Sequence, residues 1–373
     1  QFSSSIYLAE PSQITTPLVT KTDITCNGAE DGITSLVGNP TGGTPFLVGS
    51  PYTYEWIDDV TGLPIGQPTQ TAIGLSAGSY SCIVSDSNLC PIITNSITII
   101  DPSVITIDPT IKTNITCNGL MNGTATVVNP SGGTPSLVGN AYTYEWIDDG
   151  TGLPIVPTTQ VATGLPAGSY SCIVSDVNLC FGTASSVTII DPSAVIADPT
   201  TKTDMTCNGG NNGTATVVNP SGGTPFLVGT PYTYEWIDNA TGLPIGQTTQ
   251  VATRLPAGIY NCIVSDSNSC VFPTTPVTII DPTVITVDTT IKTDITCNGL
   301  IDGTATVVNP VGGTPFPGPN PYSFLWTPGG QTTQTATGLS AGTYTCTIND
   351  AGGACPLITT VTIIVVSGEG SLY

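Results

Sequence analysis

Histidine is absent from this chain of 373 residues, and basic side chains are scarce: 5 Lys and Arg stand against 26 Asp and Glu, for a formal net charge of −21. Because histidine is the usual general base near neutral pH and the commonest nitrogen ligand of zinc, its absence argues against histidine-dependent hydrolysis and zinc sites. So few basic residues cannot neutralise a nucleic-acid backbone or an anionic lipid surface, so we expect no nucleic-acid partner. No apolar run reaches the roughly 20 residues of a membrane span, and no membrane insertion is expected.

Glycine, proline and cysteine are plentiful instead. The chain has 42 Gly and 32 Pro, yet 39% of its residues are hydrophobic, a combination typical of turn-rich β-structure rather than of disorder. It also has 12 cysteines, which would have little use in a reducing cytosol in a chain without a metal site. We therefore expect a secreted protein at the cell surface or in the extracellular space.

The sequence repeats itself four times. The motif Thr-Cys-Asn-Gly recurs at intervals of 91, 90 and 90 residues, and one tryptophan follows each copy. Repeats of this length, joined at Asp-Pro steps, predict small tandem domains rather than one large core. The predicted organisation is an N-terminal strand at 1–11, repeat 1 at 12–101, repeat 2 at 102–191, repeat 3 at 192–281, repeat 4 at 282–366 and a C-terminal tail at 367–373.

Within each repeat, short runs of β-branched and aromatic residues alternate with turn residues at intervals of about ten residues, and no helical period is present. This pattern predicts an all-β fold: four tandem Ig-like antiparallel β-sandwich domains in an elongated rod. Tyr52, Tyr54 and Trp56 share one strand parity, so we expect them to face the core. The strands predicted in repeat 1 lie near Ile24 and at 33–37, 52–57, 71–75, 80–85 and 92–100.

Two turns of each repeat carry a conformational signature. In the segment 75–82, Gly78 permits a tight corner, and the Tyr80 hydroxyl can bond back to the preceding backbone. In the loop 40–45, Gly42 and Gly43 are expected to adopt positive φ angles. Both signatures recur in all four repeats.

Taken in order, the motifs resemble the SprB-type repeat of cell-surface adhesins and gliding-motility proteins of Bacteroidota. The resemblance implies Ig-like sandwiches in long, secreted, non-enzymatic surface arrays. Each repeat departs from the family at one position, where Cys82, Cys172, Cys262 or Cys346 replaces a residue that is more often aliphatic. The motifs that carry the resemblance are Cys26-Asn27-Gly28, Asp31-Gly32, Gly42-Gly43-Thr44-Pro45, Tyr52-Thr53-Tyr54-Glu55-Trp56, Leu75-Ser76-Ala77-Gly78-Ser79-Tyr80, Val84-Ser85-Asp86 and Cys90.

The cysteines allow two pairing schemes. Three cysteines per repeat is an odd number, so pairing within a repeat leaves one over. The parity of the predicted strands brings Cys26 to Cys82 and leaves Cys90 available to a neighbouring repeat. The resemblance implies instead that the first and third cysteines pair, with the middle ones buried as small hydrophobic thiols. The pairs in this scheme are Cys26 with Cys90, Cys117 with Cys180, Cys207 with Cys270 and Cys297 with Cys355.

Carboxylates cluster at several turns that recur in later repeats. Oxygen ligands suit calcium, although no known calcium loop is present, and capping of turns is the alternative role. We therefore expect no cofactor, with calcium as the alternative. Paired carboxylates could also hydrolyse glycosides, but Glu55 has Leu325 as its counterpart in repeat 4, so we expect no enzyme. The calcium candidates are Asp58, Asp59, Asp86, Asp101 and Asp108.

The first residues of the chain repeat the end of a repeat. Residues 5–12 align with 96–103, the last strand of repeat 1 and its Asp-Pro step. Such a strand can add to a sheet of another chain. The predicted assembly contacts are Ile6, Tyr7, Leu8, Val365 and Val366.

These features together predict a non-enzymatic extracellular structural protein that forms or belongs to a bacterial surface filament. Its partners would be other copies of itself, joined head to tail or through strands. The alternative is an adhesin stalk that binds glycans or surfaces through the repeated loops at 46–50 and 58–64, where multivalency would raise the avidity.

Overall fold

The computed structural model describes residues 10–353 and 355–366. Every secondary-structure element assigned within these residues is a β-strand. None of these residues forms a helix that could cross a membrane. The strands pair in antiparallel sheets, which confirms the predicted all-β class. Tertiary contacts divide the chain into two compact units. Unit 1 comprises Gln1–Ile115 and Gly119–Asp191, and unit 2 comprises Thr116–Asn118 and Pro192–Tyr373.

Repeat 1 is a sandwich of two antiparallel sheets. Its strands are β1 (Leu18–Thr22), β2 (Gly32–Val37), β3 (Thr53–Asp58), β4 (Leu63–Pro64), β5 (Thr71–Leu75), β6 (Gly78–Ser85), β7 (Pro91–Ile93) and β8 (Ile97–Ile99). The smaller sheet has the order β1-β2-β5. The larger sheet has the order β4-β3-β6-β7, and β8 also pairs with β6.

The other repeats reproduce these two sheets. Repeat 2 contains β9 (Thr106–Thr113), β10 (Gly123–Ser131), β11 (Thr143–Asp148), β12 (Leu153–Ile155), β13 (Val161–Leu165), β14 (Gly168–Ser175) and β15 (Phe181–Ile189). Repeat 3 contains β16 (Ile196–Thr203), β17 (Gly213–Ser221), β18 (Thr233–Asp238), β19 (Leu243–Pro244), β20 (Val251–Leu255), β21 (Gly258–Ser265), β22 (Val271–Pro273) and β23 (Val277–Ile279). Repeat 4 contains β24 (Thr289–Thr293), β25 (Gly303–Val308), β26 (Ser323–Thr327), β27 (Thr335–Leu339), β28 (Gly342–Asn349) and β29 (Leu357–Ile363).

A tryptophan-centred core lies between the two sheets of each repeat. In repeat 1, Trp56 on β3 pairs with Cys82 on β6, and both side chains are fully buried. Tyr52 is buried and Tyr54 is half-buried on the same face, which confirms the predicted aromatic stripe. Such large aromatic side chains supply much of the apolar area that a sandwich of this size can bury. The equivalent tryptophans Trp146, Trp236 and Trp326 are also fully buried.

The strand predicted near Ile24 is wrong in position. β1 ends at Thr22, and Asp23 then accepts the Ile100 N–H at 2.8 Å while Ile24 donates its own N–H to the Ile100 carbonyl at 3.2 Å. Ile24 is buried at this crossing, but Cys26 follows in a turn. The strand parity that would bring Cys26 to Cys82 therefore does not exist.

The single last strand predicted at 92–100 is divided into β7 and β8 in repeat 1. The division occurs at Thr94, whose hydroxyl accepts the Cys82 N–H at 2.9 Å while its N–H donates to the Cys82 carbonyl at 2.9 Å. In repeat 2, Ala184 stands at this position and β15 runs without a break. A side-chain hydroxyl that competes for the backbone donor thus interrupts the strand.

Both predicted turn signatures are confirmed. The Tyr80 hydroxyl donates to the Ser76 carbonyl at 3.0 Å, and the corners at Tyr170, Tyr260 and Tyr344 make the same bond. Gly42 and Gly43 have φ angles of 83° and 64°. A Cβ atom on Gly42 would lie 2.2 Å from the Gln13 carbonyl oxygen, so the close backbone approach itself requires glycine there.

Candidate functional site

Each Thr-Cys-Asn-Gly motif forms a surface turn, called here the TCNG turn (25–28, 116–119, 206–209 and 296–299). In repeat 1, Asp31 accepts the Thr25 N–H at 3.0 Å and the Thr25 hydroxyl at 2.5 Å, and Ala29 N–H donates to the Cys26 carbonyl at 2.9 Å. The hydroxyl bond of Thr25 lowers the pKa of Asp31 below its ordinary value of 3.8. These bonds fix the backbone on both sides of the cysteine.

The opposite end of each repeat carries its third cysteine, in a turn organised by a buried aspartate. In repeat 1, Asp86 accepts the Thr44 N–H at 2.8 Å, the Asn88 N–H at 3.0 Å and the Cys90 N–H at 3.0 Å. These backbone bonds, the one from Thr44 first, lower the pKa of Asp86. Leu89 adopts a φ of 61°, which turns the chain so that Cys90 is exposed.

An acid-Pro-hydroxyl step lies beside this turn at the start of each repeat. In repeat 2 it is 101–103, and the Ser103 carbonyl accepts the Gly133 N–H at 2.7 Å. The step and the turn ending in the third cysteine are together called the leading edge. Leading edges comprise 10–12 with 86–90 in repeat 1, 101–103 with 176–180 in repeat 2, 192–193 with 266–270 in repeat 3, and 281–283 with 350–353 and Cys355 in repeat 4.

Within unit 1, the TCNG turn of repeat 1 is joined to the leading edge of repeat 2. Cys26 forms a disulfide with Cys180, with a Cα–Cα distance of 5.5 Å. The side chain of Asn178 donates to the Thr25 carbonyl at 3.1 Å. Gly28 N–H donates to the Asp101 carboxylate at 3.1 Å. One covalent bond and several polar bonds therefore hold the two repeats at this junction.

The Asn27 side chain completes this junction by donating to the Pro102 carbonyl at 2.9 Å. The disulfide spans 154 residues of sequence. A disulfide that closes so long a loop restricts the unfolded chain, and such a crosslink typically stabilises the folded state by about 2–4 kcal/mol. The disulfide and the hydrogen bonds of this junction thus stabilise the contact between repeats 1 and 2.

Unit 2 contains two further disulfides, which also join one repeat to the next. Cys117, in the segment Thr116–Asn118, bonds Cys270 at a Cα–Cα distance of 5.5 Å, and Cys207 bonds Cys355 at 5.7 Å. At the second of these, Asn208 donates to the Pro282 carbonyl at 2.9 Å. The first cysteine of repeats 1, 2 and 3 is in each case bonded to the third cysteine of the following repeat. We call this series the disulfide ladder.

The predicted pairing of the first and third cysteines within a repeat is wrong. Gly78, the first residue of β6, pairs with Ile99, and Asp101 two residues later accepts the Gly28 N–H. Cys26 therefore lies at the end of the sandwich where β6 begins. Cys90 follows the other end of β6, an eight-residue strand that spans roughly 26 Å. A disulfide needs Cα atoms within about 7 Å of each other. The same separation excludes Cys117 with Cys180, Cys207 with Cys270 and Cys297 with Cys355.

Pairing of Cys26 with Cys82 is also wrong, since Cys82 lies fully buried on β6 beside Trp56. Burial raises the pKa of the Cys82 thiol to about 11 and that of Cys172 to about 12. These thiols are protonated at neutral pH and behave as small apolar side chains. Cys262 and Cys346 are likewise buried and free, with pKa values raised to about 12 and about 11.

The five calcium candidates lie at four places in the fold. Asp58 and Asp59 are adjacent at the end of β3, and Asp108 lies on β9. Asp86 and Asp101 lie in two other segments, between strands. Among the residues described, no three acidic or cysteine side chains gather as a metal site would require. Asp58 accepts the Val60 N–H at 2.8 Å, and Asp59 accepts the Ser81 hydroxyl at 2.6 Å. Asp86 and Asp101 make the bonds given above, and Asp108 of repeat 2 accepts the Asn129 side chain at 2.8 Å. Each carboxylate therefore caps a turn or joins two strands.

The predicted assembly residues fall largely outside the described part of the chain. Ile6, Tyr7 and Leu8 lie outside it, as do most of the N-terminal strand and the C-terminal tail. Val365 forms a parallel bridge with Ile295, and Val366 N–H donates to the Ile295 carbonyl at 3.0 Å.

The contacts that the sequence did not predict are those of Asn178 and Asp101. Their recurrence at fixed distances from the cysteines was the available signal.

The geometry defines a class of tandem Ig-like β-sandwich proteins in which disulfides join successive repeats. The family model described as SprB repeat matches four segments of the chain, at residues 18–61, 110–151, 200–241 and 289–331. The chain is therefore a SprB-type repeat protein, which confirms the resemblance seen in its motifs. No curated protein matches it.

Several solved structures are similar to this chain at low scores. The FN1–FN3 domains of chicken CNTN1 are 11% identical with a TM-score of 0.24, over 71% of this chain and 98% of the other. Domains 1–6 of the surface layer protein SbsC are 14% identical with a TM-score of 0.23, over 94% and 54%. Extracellular domains 3–5 of Drosophila OTK are 13% identical with a TM-score of 0.24, over 71% and 95%. No functional inference follows from likeness at this level.

Proposed function

We propose that this chain is a non-enzymatic structural protein of the bacterial cell surface, and that it builds or belongs to a filament assembled head to tail. The SprB repeats and the three disulfides are features of an extracellular repeat protein. Filament formation goes beyond that class and rests on the disulfide ladder.

The ladder supports a mechanical role because it gives successive repeats a second covalent connection besides the backbone. A tension applied along the chain then has to break a disulfide or unfold a sandwich before a junction opens. The buried free thiols are protonated, and protonated thiols are poor nucleophiles. They therefore do not attack the disulfides of the ladder. Such a chain suits load-bearing outside the cell.

Electron microscopy of the unreduced protein, followed by the same sample after reduction, tests the proposal. We expect filaments in the unreduced sample at high protein concentration, with a repeat of about one chain length. Isolated particles at every concentration would contradict it.

A second candidate function, adhesion, is favoured by one observation. The loop at 46–50 presents two fully exposed apolar side chains, Leu47 (100% exposed) and Val48 (91% exposed), and two later repeats do the same. The same exposed apolar pair in three successive repeats would give a multivalent contact surface. Repeat 4 has Pro317 and Gly318 at these positions. The equivalent pairs are Leu137 with Val138 and Leu227 with Val228.

Binding of the chain to a glycan array or to abiotic surfaces tests the adhesin. If the loops are adhesive, replacing all three Leu-Val pairs by Ser-Ser would abolish binding while leaving filament formation unchanged. If the chain binds no array or surface at micromolar concentration, the adhesin function is contradicted.

A further inference from the structure

The disulfide ladder leaves one free cysteine at each of two complementary positions. Cys297, in the TCNG turn of repeat 4, and Cys90, in the leading edge of repeat 1, are exposed and have no disulfide partner among the residues described. Their counterparts in the ladder all have partners. Cys297 corresponds to Cys26, and Cys90 corresponds to Cys180.

The turn around Cys297 already has the conformation of a bonded turn. Asp302 accepts the Thr296 N–H at 3.3 Å and the Thr296 hydroxyl at 2.8 Å, and Leu300 N–H donates to the Cys297 carbonyl at 3.1 Å. These are the same three bonds that hold the turn around Cys26. The thiol is therefore presented on a preformed backbone.

The turn of repeat 4 also differs from the others in its polar partners. Where repeats 1 to 3 end in Asp-Pro, repeat 4 has Val365 and Val366. In the described part of the chain, the side-chain amide of Asn298 and the N–H of Gly299 have no hydrogen-bond acceptor, whereas Asn208 and Gly209 donate to Pro282 and Asp281. An acid-Pro step of a partner would supply acceptors for these two donors, which are unpaired within the described residues.

The leading edge of repeat 1 offers such a step. Glu10, Pro11 and Ser12 repeat the acid-Pro-hydroxyl pattern of 101–103. The Ser12 carbonyl accepts the Gly43 N–H at 2.7 Å, as the Ser103 carbonyl accepts that of Gly133 at 2.7 Å. Glu10 and Pro11 are exposed. The step at 10–12 thus enters repeat 1 in the way that 101–103 enters repeat 2.

The turn around Cys90 is preformed in the same manner. Asp86 accepts the Cys90 N–H at 3.0 Å, as Asp176 accepts that of Cys180 at 3.0 Å. Asn88 donates to the Thr44 hydroxyl at 3.0 Å. Asn268 makes the equivalent bond to Thr224 at 3.1 Å and also donates to the Thr116 carbonyl at 3.0 Å. The second of these bonds has no counterpart at Asn88 within the described residues.

We propose that a second copy of this chain occupies these positions, so that Cys297 of one copy and Cys90 of the next form a disulfide that extends the ladder from chain to chain. Glu10 and Pro11 of the next copy then accept hydrogen bonds from Gly299 and Asn298. This inference rests on the proposed filament and names its covalent contact. The contact is heterologous, so it continues without closing on a pair.

The reaction is a thiol–disulfide exchange with a low-molecular-weight disulfide as oxidant. The thiolate of one cysteine attacks a sulfur of the oxidant, whose S–S bond breaks, and one small thiol is released. The thiolate of the second cysteine then attacks the mixed disulfide and releases the other small thiol. The two cysteines lose two protons and two electrons, and the oxidant is reduced to two thiols.

The test begins with the purified, unreduced 373-residue chain. Iodoacetamide at pH 8 should label Cys90 and Cys297 in the folded protein, while the four buried thiols react only after unfolding. Incubation of the unlabelled chain with oxidised glutathione should then give a series of covalent dimers, trimers and larger multimers on a non-reducing gel. Mass spectrometry should identify a peptide that joins Cys90 to Cys297.

Two serine variants fix the direction of the contact. Cys90→Ser and Cys297→Ser should each remain monomeric alone, and an equal mixture should give a dimer joined through the one remaining cysteine of each. Symmetric dimers of either variant, or multimers joined through buried cysteines, would overturn the proposal. Cys346→Ala, a matched change at a buried thiol, should leave the multimers unchanged.

The hydrogen-bond donors can be tested separately. Asn298→Ala should slow dimer formation about tenfold, since it removes one bond at the contact. Leu300→Ala, in the same turn, should not. An unchanged rate for Asn298→Ala would overturn the polar part of the contact.

Microscopy of the double variant Cys90→Ser/Cys297→Ser distinguishes this inference from the proposed function. We expect it to form no filaments. If filaments persist, the proposed function stands and the disulfide contact is wrong. If the natural chain forms neither filaments nor covalent multimers, both are wrong.

Discussion

Repeats 1 and 4 each bury a tryptophan at the equivalent position, beneath loops of different length. The indole N–H of Trp56 donates to the Thr69 carbonyl, 13 residues later, at 3.0 Å, and that of Trp326 donates to the Thr333 carbonyl, 7 residues later, also at 3.0 Å. Both side chains are fully buried. The shorter loop omits a strand equivalent to β4, yet the core is unchanged, because the pairing with the neighbouring strand holds the tryptophan.

The TCNG turns of the two repeats differ, although their cores are alike. The turn of repeat 1 is capped by Asp101 and bonded through Cys26, whereas that of repeat 4 has neither feature in the described residues. Each core is therefore built from the residues of its own repeat, while each turn is completed by residues of the next. Four substitutions, described from the largest expected effect to the smallest, test this distinction.

Replacement of the core tryptophan should be the most damaging change, and equally so in both repeats. We expect Trp326→Ala to lower the free energy of unfolding by about 3–5 kcal/mol, because it removes a fully buried indole and leaves a cavity. Chemical denaturation followed by circular dichroism measures the loss. Leu325→Ala, on the solvent-facing side of the same strand, is the control. A loss for Trp326→Ala that differs by more than about 1 kcal/mol from the loss for Trp56→Ala would refute the view that the cores are equivalent.

The first cysteines of repeats 3 and 4 should behave differently. We expect Cys207→Ser/Cys355→Ser to destabilise unit 2 by about 2–4 kcal/mol, since the loss of the crosslink restores freedom to the unfolded chain. Cys297→Ser should leave the stability of the monomer unchanged. Denaturant midpoints of the unreduced monomers give the comparison. Equal midpoints for the two variants would show that the ladder does not stabilise the repeats.

The aspartate cap of the TCNG turn should contribute less. Asp281→Ala removes the acceptor of the Gly209 N–H, and we expect it to cost about 0.5–1 kcal/mol. Glu235→Ala removes the same charge from an exposed strand position of repeat 3 and should cost nothing measurable. If both variants lose the same stability, net charge rather than capping is responsible. Thermal unfolding at low and high salt separates these effects.

The smallest effect concerns pH. The hydroxyl bond of Thr296 lowers the pKa of Asp302, so the stability that this carboxylate contributes is present above its ordinary pKa of 3.8 and is lost as the pH falls through its folded value. Asn212 makes the equivalent bonds in repeat 3 without a titrating group. We therefore expect Asp302→Asn to flatten the decline in stability below about pH 4. Unfolding midpoints between pH 2 and 6 measure it, and an unchanged slope would contradict the assignment.

Much of each repeat could be predicted from the residues alone. The alternation of Tyr52, Tyr54 and Trp56 assigned the core face, because strand side chains alternate between two faces whatever lies beyond them. The Tyr80 corner and the positive φ angles of Gly42 and Gly43 are equally local, since they depend on a few neighbouring residues. The position of the strand near Ile24 and the break at Thr94 were missed because they depend on bonds to Ile100 and Cys82, which are distant in sequence.

The disulfide pairing shows where the sequence stops being sufficient. In repeats 1 to 3, each first cysteine has a third cysteine both in its own repeat and in the next repeat. Either pairing scheme is therefore compatible with the same sequence pattern. The sequence by itself determined the four β-sandwiches, their tryptophan cores and the odd number of cysteines. Only the tertiary structure decided that Cys26 meets Cys180, because the length of β6 places the two cysteines of one repeat at opposite ends of the sandwich.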